Sequence, residues 1–206
     1  MFKKLKSIFW DRVPKPEGKY HEFAVLVSII NVQDELELLF EVRSKTLKYQ
    51  PSEICFPGGK MEPGETPIEC AIRETCEELN ISPDLIEIYG PLDYLVMHHD
   101  MILYPFLGFI NSIETNNLDF NKDEVSGIFT VPLRFFMETK PLKHIVYAET
   151  QAKEDFPYHM IPNGKNYTWQ VGKRPVLFYP YQDHMIWGMT ARIIHNLVEI
   201  IRSQQY

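Results

Sequence analysis

The sequence contains few cysteines, and none of them form a pair at the spacing of a metal or redox motif. Cys55, Cys70 and Cys76 include no C-x-x-C pair, and a disulfide between any two would leave an odd thiol. Secreted domains that depend on disulfides usually carry a denser, even-numbered set. The cysteine content therefore favours a reducing compartment, with mostly structural roles for the thiols.

Long apolar runs are also missing. No stretch approaches the roughly 20 apolar residues that a membrane-spanning helix needs, and the N terminus lacks the apolar centre of a signal peptide. We therefore expect a cytoplasmic protein that does not enter a membrane. The opening run MFKKLKSIFW places apolar residues and lysines at helical spacing, so residues 1–18 could form a membrane-surface helix, a helix docked on the domain, or an ordered tail.

An excess of positive charge is absent as well. The formal net charge is −7, which argues against a surface that wraps nucleic acid. If the substrate is a phosphate ester, metal ions and a few basic side chains must supply the local positive charge. With 206 residues and 45% hydrophobic content, the chain is long enough for one substantial core, and we expect one domain over residues 1–206.

The most informative stretch is 58–81, GGKMEPGETPIECAIRETCEELNI. Its first two residues are glycines, which favour a tight turn whose backbone can approach a ligand or metal closely. Thr66, Pro67 and Glu69 then predict a helix start: an N-cap threonine, proline at the first helical position and glutamate three residues after the cap. Asn80 follows the last predicted turn and can adopt the left-handed conformation common at helix ends.

Three carboxylates lie on one face of this predicted helix. Glu74, Glu77 and Glu78 fall within one arc at about 100° per residue, so they would repel one another unless a cation joined them. A divalent cation could bridge this face, and the alternative is a solvated acidic surface. Arg73 stands four residues before Glu77 and can form an ion pair with it. The pattern predicts that these residues face away from a buried stripe made of Ile68, Ala71, Ile72, Thr75 and Leu79.

Upstream of the glycines, the pattern predicts a β-hairpin. The segments 23–31 and 36–42 have the apolar, β-branched composition of paired strands. The hairpin ends at Arg43 and Ser44, just ahead of the glycine turn. Arg43 can be an ordinary surface cation or a contact to a phosphate group.

Downstream, the pattern predicts strands over 87–97, 101–113, 127–131, 142–150 and 175–180, a short helix after 131, and an amphipathic closing helix in the run 186–201. His98, His99 and Asp100 form either a metal site or a hairpin tip. Consecutive residues on a strand or turn point in different directions, which favours the hairpin tip.

Two other groups of side chains admit both a functional and a structural interpretation. Glu124, with Asp123 as its alternative, is either a late carboxylate of the acidic site or a solvated loop residue. Tyr158, Tyr167 and Trp169 either stack on an adenine or pack against the protein.

The polar positions of stretch 58–81 recur at fixed intervals, and in these positions the chain resembles the Nudix hydrolases. The matching residues are Gly59, Glu65, Arg73, Glu74, Glu77, Glu78 and Ile81. Thr75 and Asn80 depart from the usual pattern, which has a bulky aliphatic residue and a glycine there. The resemblance implies an α/β protein with the Nudix fold, a mixed β-sheet sandwiched between α-helices, and metal-dependent hydrolysis of a diphosphate linkage.

The same resemblance implies Mg²⁺ or Mn²⁺ as cofactor and roles for individual residues. The metal ligands would be three helix carboxylates and one backbone carbonyl, from Glu74, Glu77, Glu78 and Gly58. Arg73 would orient the carboxylates, and Glu65 would support the loop or the metal through water. The resemblance leaves the general base open among Glu77, Glu78 and Glu124. Together with Arg73, these three residues form the implied catalytic set.

A second resemblance, to the coenzyme A pyrophosphatase branch of this family, comes from segment 39–59, LFEVRSKTLKYQPSEICFPGG. The matching residues are Arg43, Ser44, Leu47 and the run 56–59, and residues 186–191 resemble a helix start in the same branch. Gln50 replaces a common histidine, and Ser52 and Glu53 replace glycine followed by glutamine.

The branch implies that coenzyme A or a derivative is cleaved to phosphopantetheine and adenosine 3′,5′-bisphosphate. Arg43, Ser44 and Gly59 would contact this small-molecule substrate. Within the enzyme class, the alternative is ADP-ribose, NADH or another nucleoside diphosphate derivative. A non-catalytic nucleotide sensor is the alternative from another class, and a homodimer is left open.

Overall fold

The computed structural model describes residues 2–97, 100–113 and 118–204, and these contain two β-sheets and four α-helices. The helices are α1 (Phe2–Phe9), α2 (Pro67–Leu79), α3 (Leu133–Glu138) and α4 (Gly188–Ser203). The strands are β1 (His21–Val32), β2 (Glu35–Arg43), β3 (Ile54–Cys55), β4 (Gly58–Lys60), β5 (Ile86–Pro91), β6 (Leu95–Met97), β7 (Met101–Ile110), β8 (Val125–Pro132), β9 (Leu142–Ala148), β10 (Gly172–Tyr181) and β11 (His184–Trp187). Short 3-10 turns lie at Pro83–Leu85, Tyr158–Met160 and Gly164–Asn166.

The larger sheet has eight strands and is mixed. Its central order is β3-β2-β1-β7-β5, while β4, β6 and β8 pair with β1, β7 and β2, respectively. Strands β1 and β7 run parallel, and the other pairs are antiparallel. The smaller sheet has the order β11-β10-β9. The predicted α/β class with a mixed sheet is therefore confirmed.

Strand β1 lies between two helical layers, and its side chains alternate between them. Leu26 and Ile30 pack in one cluster with Leu79 of α2. Val27 and Ile29 belong to a second cluster, which contains the buried face of α4. Because both faces are covered, the middle of the strand, 23–30, is apolar except for Ser28 instead of alternating apolar with polar residues.

The predicted hairpin is formed by β1 and β2, joined through Gln33 and Asp34, which both have positive φ. Leu39 of β2 packs on the α2 side of the sheet. Alternate residues of a strand share a face, so Glu41 lies on that same side. Strand β2 then ends at Arg43, which places both residues close to the glycine turn.

Helix α2 has the predicted start and end. The Glu69 backbone N–H donates to Thr66 Oγ1 at 3.4 Å, and the Thr66 N–H donates to the Glu69 carboxylate at 2.9 Å, which forms a capping box. Pro67 is the first helical residue, and Asn80 takes a left-handed conformation with φ 51°. The cap and the terminus fix the register of every side chain that α2 presents to the glycine turn.

Two predicted elements have different bounds in the structure. The strand expected over 87–97 is interrupted, because β5 carries an irregularity between Ile88 and Gly90 and ends at Pro91, which has no N–H for the sheet. Ile186 and Trp187 lie in β11 and not in the closing helix. Gly188, with φ +66°, makes the change from β11 into α4.

The first eighteen residues contain helix α1 and an extended connection. Leu5, Ile8 and Phe9 are 45%, 54% and 62% exposed, so α1 is not docked on the rest of the protein through these side chains. Within the described ranges, no helix combines the length and the apolar character required to cross a bilayer.

Candidate active site

The paired glycines form β4 and hold the backbone against helix α2. The Gly58 N–H donates to Glu78 Oε2 at 2.7 Å. A Cβ on Gly58 would lie 2.3 Å from the Ala24 carbonyl oxygen, and a Cβ on Gly59 would lie 2.3 Å from the Glu74 carboxylate. Because contacts that short do not occur, only glycine allows this close approach of backbone and carboxylates.

Arg73 connects the carboxylates of the loop and the helix. Its guanidinium forms ion pairs with Glu65 at 2.8 Å, Glu74 at 2.9 Å and Glu77 at 3.1 Å. It also donates to the Lys60 carbonyl at 3.3 Å. The hydrogen bonds from Arg73 lower the pKa of Glu65 to about 2. Arg73 therefore fixes the loop before α2 and two of the helix carboxylates at once.

Glu78 is buried, and the expectation that it faces solvent is wrong. Its exposed fraction is 2%, whereas the Glu77 side chain is 57% exposed. The Gly58 N–H draws the Glu78 carboxylate under the glycine turn, where β4 covers it. Burial, followed by the charge of Glu41, raises the pKa of Glu78 well above its usual range.

Glu41 is a site residue that the sequence interpretation missed. It is fully buried in β2, opposite Cys55 of β3, whose thiol donates to Glu41 Oε1 at 3.1 Å. Within the described part of the chain, Glu41 Oε2 has no hydrogen-bond partner. Burial raises the pKa of Glu41. The available signal was a single carboxylate inside the apolar run of β2.

The loop before β8 brings Glu124 to the same place. The Ser44 N–H donates to the Glu124 carbonyl at 2.7 Å, and the Asn121 N–H donates to the Glu78 carbonyl at 2.9 Å. Burial is the main cause that raises the pKa of Glu41, Glu74 and Glu78, and the charge of Glu124 adds to each rise. We call these four residues, Glu41, Glu74, Glu78 and Glu124, the acidic cluster.

Asp123, the alternative to Glu124, makes a local contact instead. Its backbone N–H donates to Asn121 Oδ1 at 3.1 Å, which closes the turn that precedes β8. The position in the fold therefore favours Glu124 over Asp123 as the late carboxylate beside α2.

Arg43 and Ser44 lie at the end of β2, next to the acidic cluster. Arg43 is half-buried, and its Nε has no hydrogen-bond partner among the residues that the structure describes. Burial raises the pKa of Glu41, and the charge of Arg43 opposes part of that rise. Ser44 is buried, and its hydroxyl is 2.9 Å from that of Thr46. Arg43 therefore combines a buried, unsatisfied donor with a position beside the carboxylates.

The acidic cluster has the donor chemistry of a Mg²⁺ or Mn²⁺ site. Its members offer carboxylate oxygens, which these hard cations prefer, and the mutual repulsion of the carboxylates would be relieved by a bound cation. In the described ranges, no three His, Cys, Asp or Glu side chains are already arranged to hold a metal ion. Glu74 and Glu77 instead contact Arg73. The residues thus fit a divalent cation, provided that side chains of the site rotate.

The remaining candidate residues have structural surroundings. Strands β6 and β7 are antiparallel and pair up to Met97 and Met101, and the choice between a metal site and a hairpin tip at 98–100 stays a prediction. His98 and His99 lie outside the described residues. Asp100 accepts a hydrogen bond from the His21 N–H through its carbonyl at 2.7 Å.

The aromatic residues of the 149–171 connection pack against one another. The rings of Tyr167 and Trp169 lie 5.0 Å apart, and those of Phe156 and Tyr158 lie 4.8 Å apart. Phe156 joins the two pairs through a contact with Trp169 at 5.6 Å. These edge-to-face contacts correspond to the interpretation in which the aromatic side chains pack within the protein and do not stack on an adenine.

Comparison with known sequences places the chain in a family. The profile of the NUDIX domain matches residues 20–148, which include α2, both glycines and the whole acidic cluster. The chain belongs to the Nudix family and is a Nudix hydrolase. Members of this family generally use divalent metal ions and bind small molecules that contain a nucleotide diphosphate.

Individual relatives extend over most of the chain. The mouse peroxisomal coenzyme A diphosphatase NUDT7 is 36% identical over 89% of this chain and 72% of its own length. The uncharacterized Nudix hydrolase NudL of Photorhabdus laumondii is 31% identical over 87% of this chain and 84% of its own length. Among solved structures, a MutT/nudix family protein from Enterococcus faecalis is similar in fold, with a TM-score of 0.51 and 15% sequence identity. The match covers 98% of this chain and 68% of the Enterococcus faecalis chain.

Proposed function

We propose that this protein hydrolyses the diphosphate linkage of coenzyme A or its derivatives, giving phosphopantetheine and adenosine 3′,5′-bisphosphate. The observation that carries the proposal is the connection between the acidic cluster and the segment that resembles the coenzyme A branch. Ser44 of that segment donates its N–H to the Glu124 carbonyl at 2.7 Å. Arg43, one residue earlier, has an unsatisfied donor beside Glu41. The similarity to the mouse coenzyme A diphosphatase supports the same substrate.

The residues of α2 would hold Mg²⁺ or Mn²⁺ through Glu74, Glu77, Glu78 and the Gly58 carbonyl. When bound, the cation would neutralise charge on the diphosphate and lower the pKa of the attacking water. Arg73 is a positioning residue, because it touches Glu65, Glu74 and Glu77 and would act on the substrate only through them.

The candidates for the general base are Glu77, Glu78 and Glu124. They differ in how far other groups already occupy their carboxylate oxygens. Glu77 is paired with Arg73, and Glu78 accepts from the Gly58 N–H. Within the described residues, the Glu124 carboxylate has one long contact, 3.5 Å to the Asn121 amide. Of the three, Glu124 thus has the least engaged lone pairs, and we propose it as the group that accepts a proton from water.

A panel of substrates tests the assignment. We expect kcat/KM for coenzyme A to exceed the values for ADP-ribose and NADH at least ten-fold with Mg²⁺ or Mn²⁺. The products, separated and identified by mass spectrometry, should be phosphopantetheine and adenosine 3′,5′-bisphosphate. Equal turnover of ADP-ribose and coenzyme A would contradict the substrate assignment and leave the family assignment intact.

One observation favours the alternative substrates. Gln50 and Glu53 replace residues of the branch motif, and their side chains bond to each other at 3.1 Å. Gln50 and Ser52 also have positive φ. The loop after Ser44 therefore differs locally from the branch pattern, and ADP-ribose and NADH are the comparison substrates for that reason. A non-catalytic sensor is disfavoured, because a binding module has no need to keep every helix carboxylate.

Replacing Arg43 tests the substrate contact. In Arg43→Ala we expect KM for coenzyme A to rise about ten-fold, since a hydrogen bond to a charged group contributes roughly 1.5–3 kcal/mol. Lys48→Ala, which removes an exposed cation from the same loop, should leave KM unchanged. Steady-state kinetics on both variants give the comparison, with thermal unfolding as a check on folding. An Arg43→Ala enzyme with unaltered KM would remove this residue from the substrate site.

A further inference from the structure

One carboxylate of the acidic cluster is not among the cation ligands proposed above. Glu41 is 0% exposed, and the Cys55 thiol occupies only its Oε1, at 3.1 Å. No donor in the described part of the protein reaches Oε2. A buried carboxylate oxygen without a partner disfavours folding, because its hydration is lost and not replaced.

The surroundings of Glu41 would suit an apolar residue equally well. Leu39 lies on the same face of β2, two residues earlier, and packs in the cluster with Leu26 and Leu79. Strand β2 is paired on both edges at Glu41, with Cys55 on one side and Ile128 on the other. The carboxylate is therefore held rigidly in a place where it lowers stability, which is typical of functional groups.

The unsatisfied oxygen lies beside the proposed cation ligands. Burial raises the pKa of Glu78, and the charge of Glu41 adds to that rise, so the two carboxyl groups act on each other. Glu124 adds a third negative charge from the loop before β8. Negative charge from a strand, a helix and a loop is therefore concentrated here, and a bound divalent cation would relieve the repulsion.

We propose that Glu41 is an additional carboxylate ligand of the divalent cation, with Oε2 as the atom that would coordinate it. The Cys55 thiol fixes the carboxyl group by holding Oε1, so Cys55 is a positioning residue. This inference rests on the proposed function for the identity of the ligand, a hard divalent cation. It extends the ligand set beyond α2 and the glycine turn.

The test measures cation affinity on the full chain without substrate. Free Mn²⁺ is titrated by electron paramagnetic resonance against the original protein, Glu41→Gln and Glu37→Gln. Glu37 is the matched control, because it lies four residues earlier on the same face of β2 and contacts Thr130 instead of the acidic cluster. We expect Glu41→Gln to weaken Mn²⁺ binding about 10–100-fold and Glu37→Gln to leave it unchanged.

Thermal unfolding separates a ligand from a structural residue. The metal-free Glu41→Gln protein should unfold at the same or a higher temperature than the original, since the substitution removes an unpaired buried charge. Its stabilisation by added Mn²⁺ should be smaller. A less stable Glu41→Gln protein with unchanged Mn²⁺ affinity would overturn the proposal and assign Glu41 a structural role.

Three further outcomes each support or contradict the proposal. If Glu41→Gln does not fold, Glu41→Asp takes its place, because aspartate keeps the negative charge on a side chain one methylene shorter. Weaker Mn²⁺ binding by Glu41→Asp supports the proposal, and unchanged binding overturns it. If Mn²⁺ binding depends on Glu41 while no diphosphate is hydrolysed, the inference stands and the proposed function fails. If coenzyme A is hydrolysed while Mn²⁺ affinity is independent of Glu41, the proposed function stands and the inference fails.

Discussion

Replacing Glu78 by glutamine is expected to reduce the turnover of coenzyme A by about 10²–10⁴-fold while the protein remains folded. Glu78 is the buried carboxylate of α2 and is 2% exposed. A neutral amide keeps the shape of the side chain but lacks the negative charge that would hold and neutralise a cation. The amide oxygen can still accept the Gly58 N–H that Glu78 accepts at 2.7 Å, so the glycine turn should keep its position.

The measurement compares kcat, Mn²⁺ affinity and thermal unfolding of Glu78→Gln with those of Glu69→Gln. Glu69 lies on the same helix and belongs to the capping box, in which glutamine serves as well as glutamate. The control should therefore match the original protein in all three. Full activity in Glu78→Gln would show that the reactive centre lies elsewhere in the protein.

Adding one methyl group at Gly59 is expected to have an effect of similar size. The new Cβ would lie 2.3 Å from the Glu74 carboxylate, so the side chain of Glu74 or the strand β4 must move. A displacement of about 1 Å at a catalytic group can reduce the rate about 10²-fold. We therefore expect Gly59→Ala to lower kcat about 10²-fold and to weaken Mn²⁺ binding.

Gly127→Ala is the matched control for this change. No heavy atom lies within 4 Å of a Cβ built on Gly127, and that residue has no positive φ. The control should retain its activity and its unfolding temperature. If Gly59→Ala were as active as Gly127→Ala, the close approach between β4 and Glu74 would have no role in the reaction.

Local sequence patterns predicted the start and the end of α2 because these depend on neighbouring residues. The capping box needs only Thr66 and Glu69, and the helix end needs only Asn80 in a left-handed conformation. The meeting of the glycines with the helix carboxylates followed from the family resemblance and not from periodicity. The structure gives the physical cause, since a Cβ on Gly59 would collide with the Glu74 carboxylate in its present position.

The burial of Glu78 was not predictable from the helical pattern. A hydrophobic stripe assigns every carboxylate to the solvent side, and Glu78 stands next to Leu79 at the edge of that stripe. What buries Glu78 is the glycine turn, twenty residues earlier in the chain. Such a contact depends on the tertiary arrangement of β4 and α2, which a pattern within one helix does not contain.

Glu41 was missed for a related reason. Strand β2 is covered on both faces, so its apolar run does not alternate, and one glutamate near its end resembles an ordinary exposed residue. Its place beside Glu78 follows from the pairing of β2 with β3 and from the side of the sheet on which α2 packs. Neither the register nor the packing side is encoded in the composition of the strand.

The most direct test of the account is the cleavage of coenzyme A by the purified full chain, with and without a chelator of divalent cations. Product identification by mass spectrometry should show phosphopantetheine and adenosine 3′,5′-bisphosphate in the presence of Mg²⁺ or Mn²⁺, and neither product after chelation. Release of the same products at an undiminished rate in the presence of the chelator would contradict a cation-dependent reaction at the acidic cluster. An absence of both products with either cation would contradict the proposed substrate.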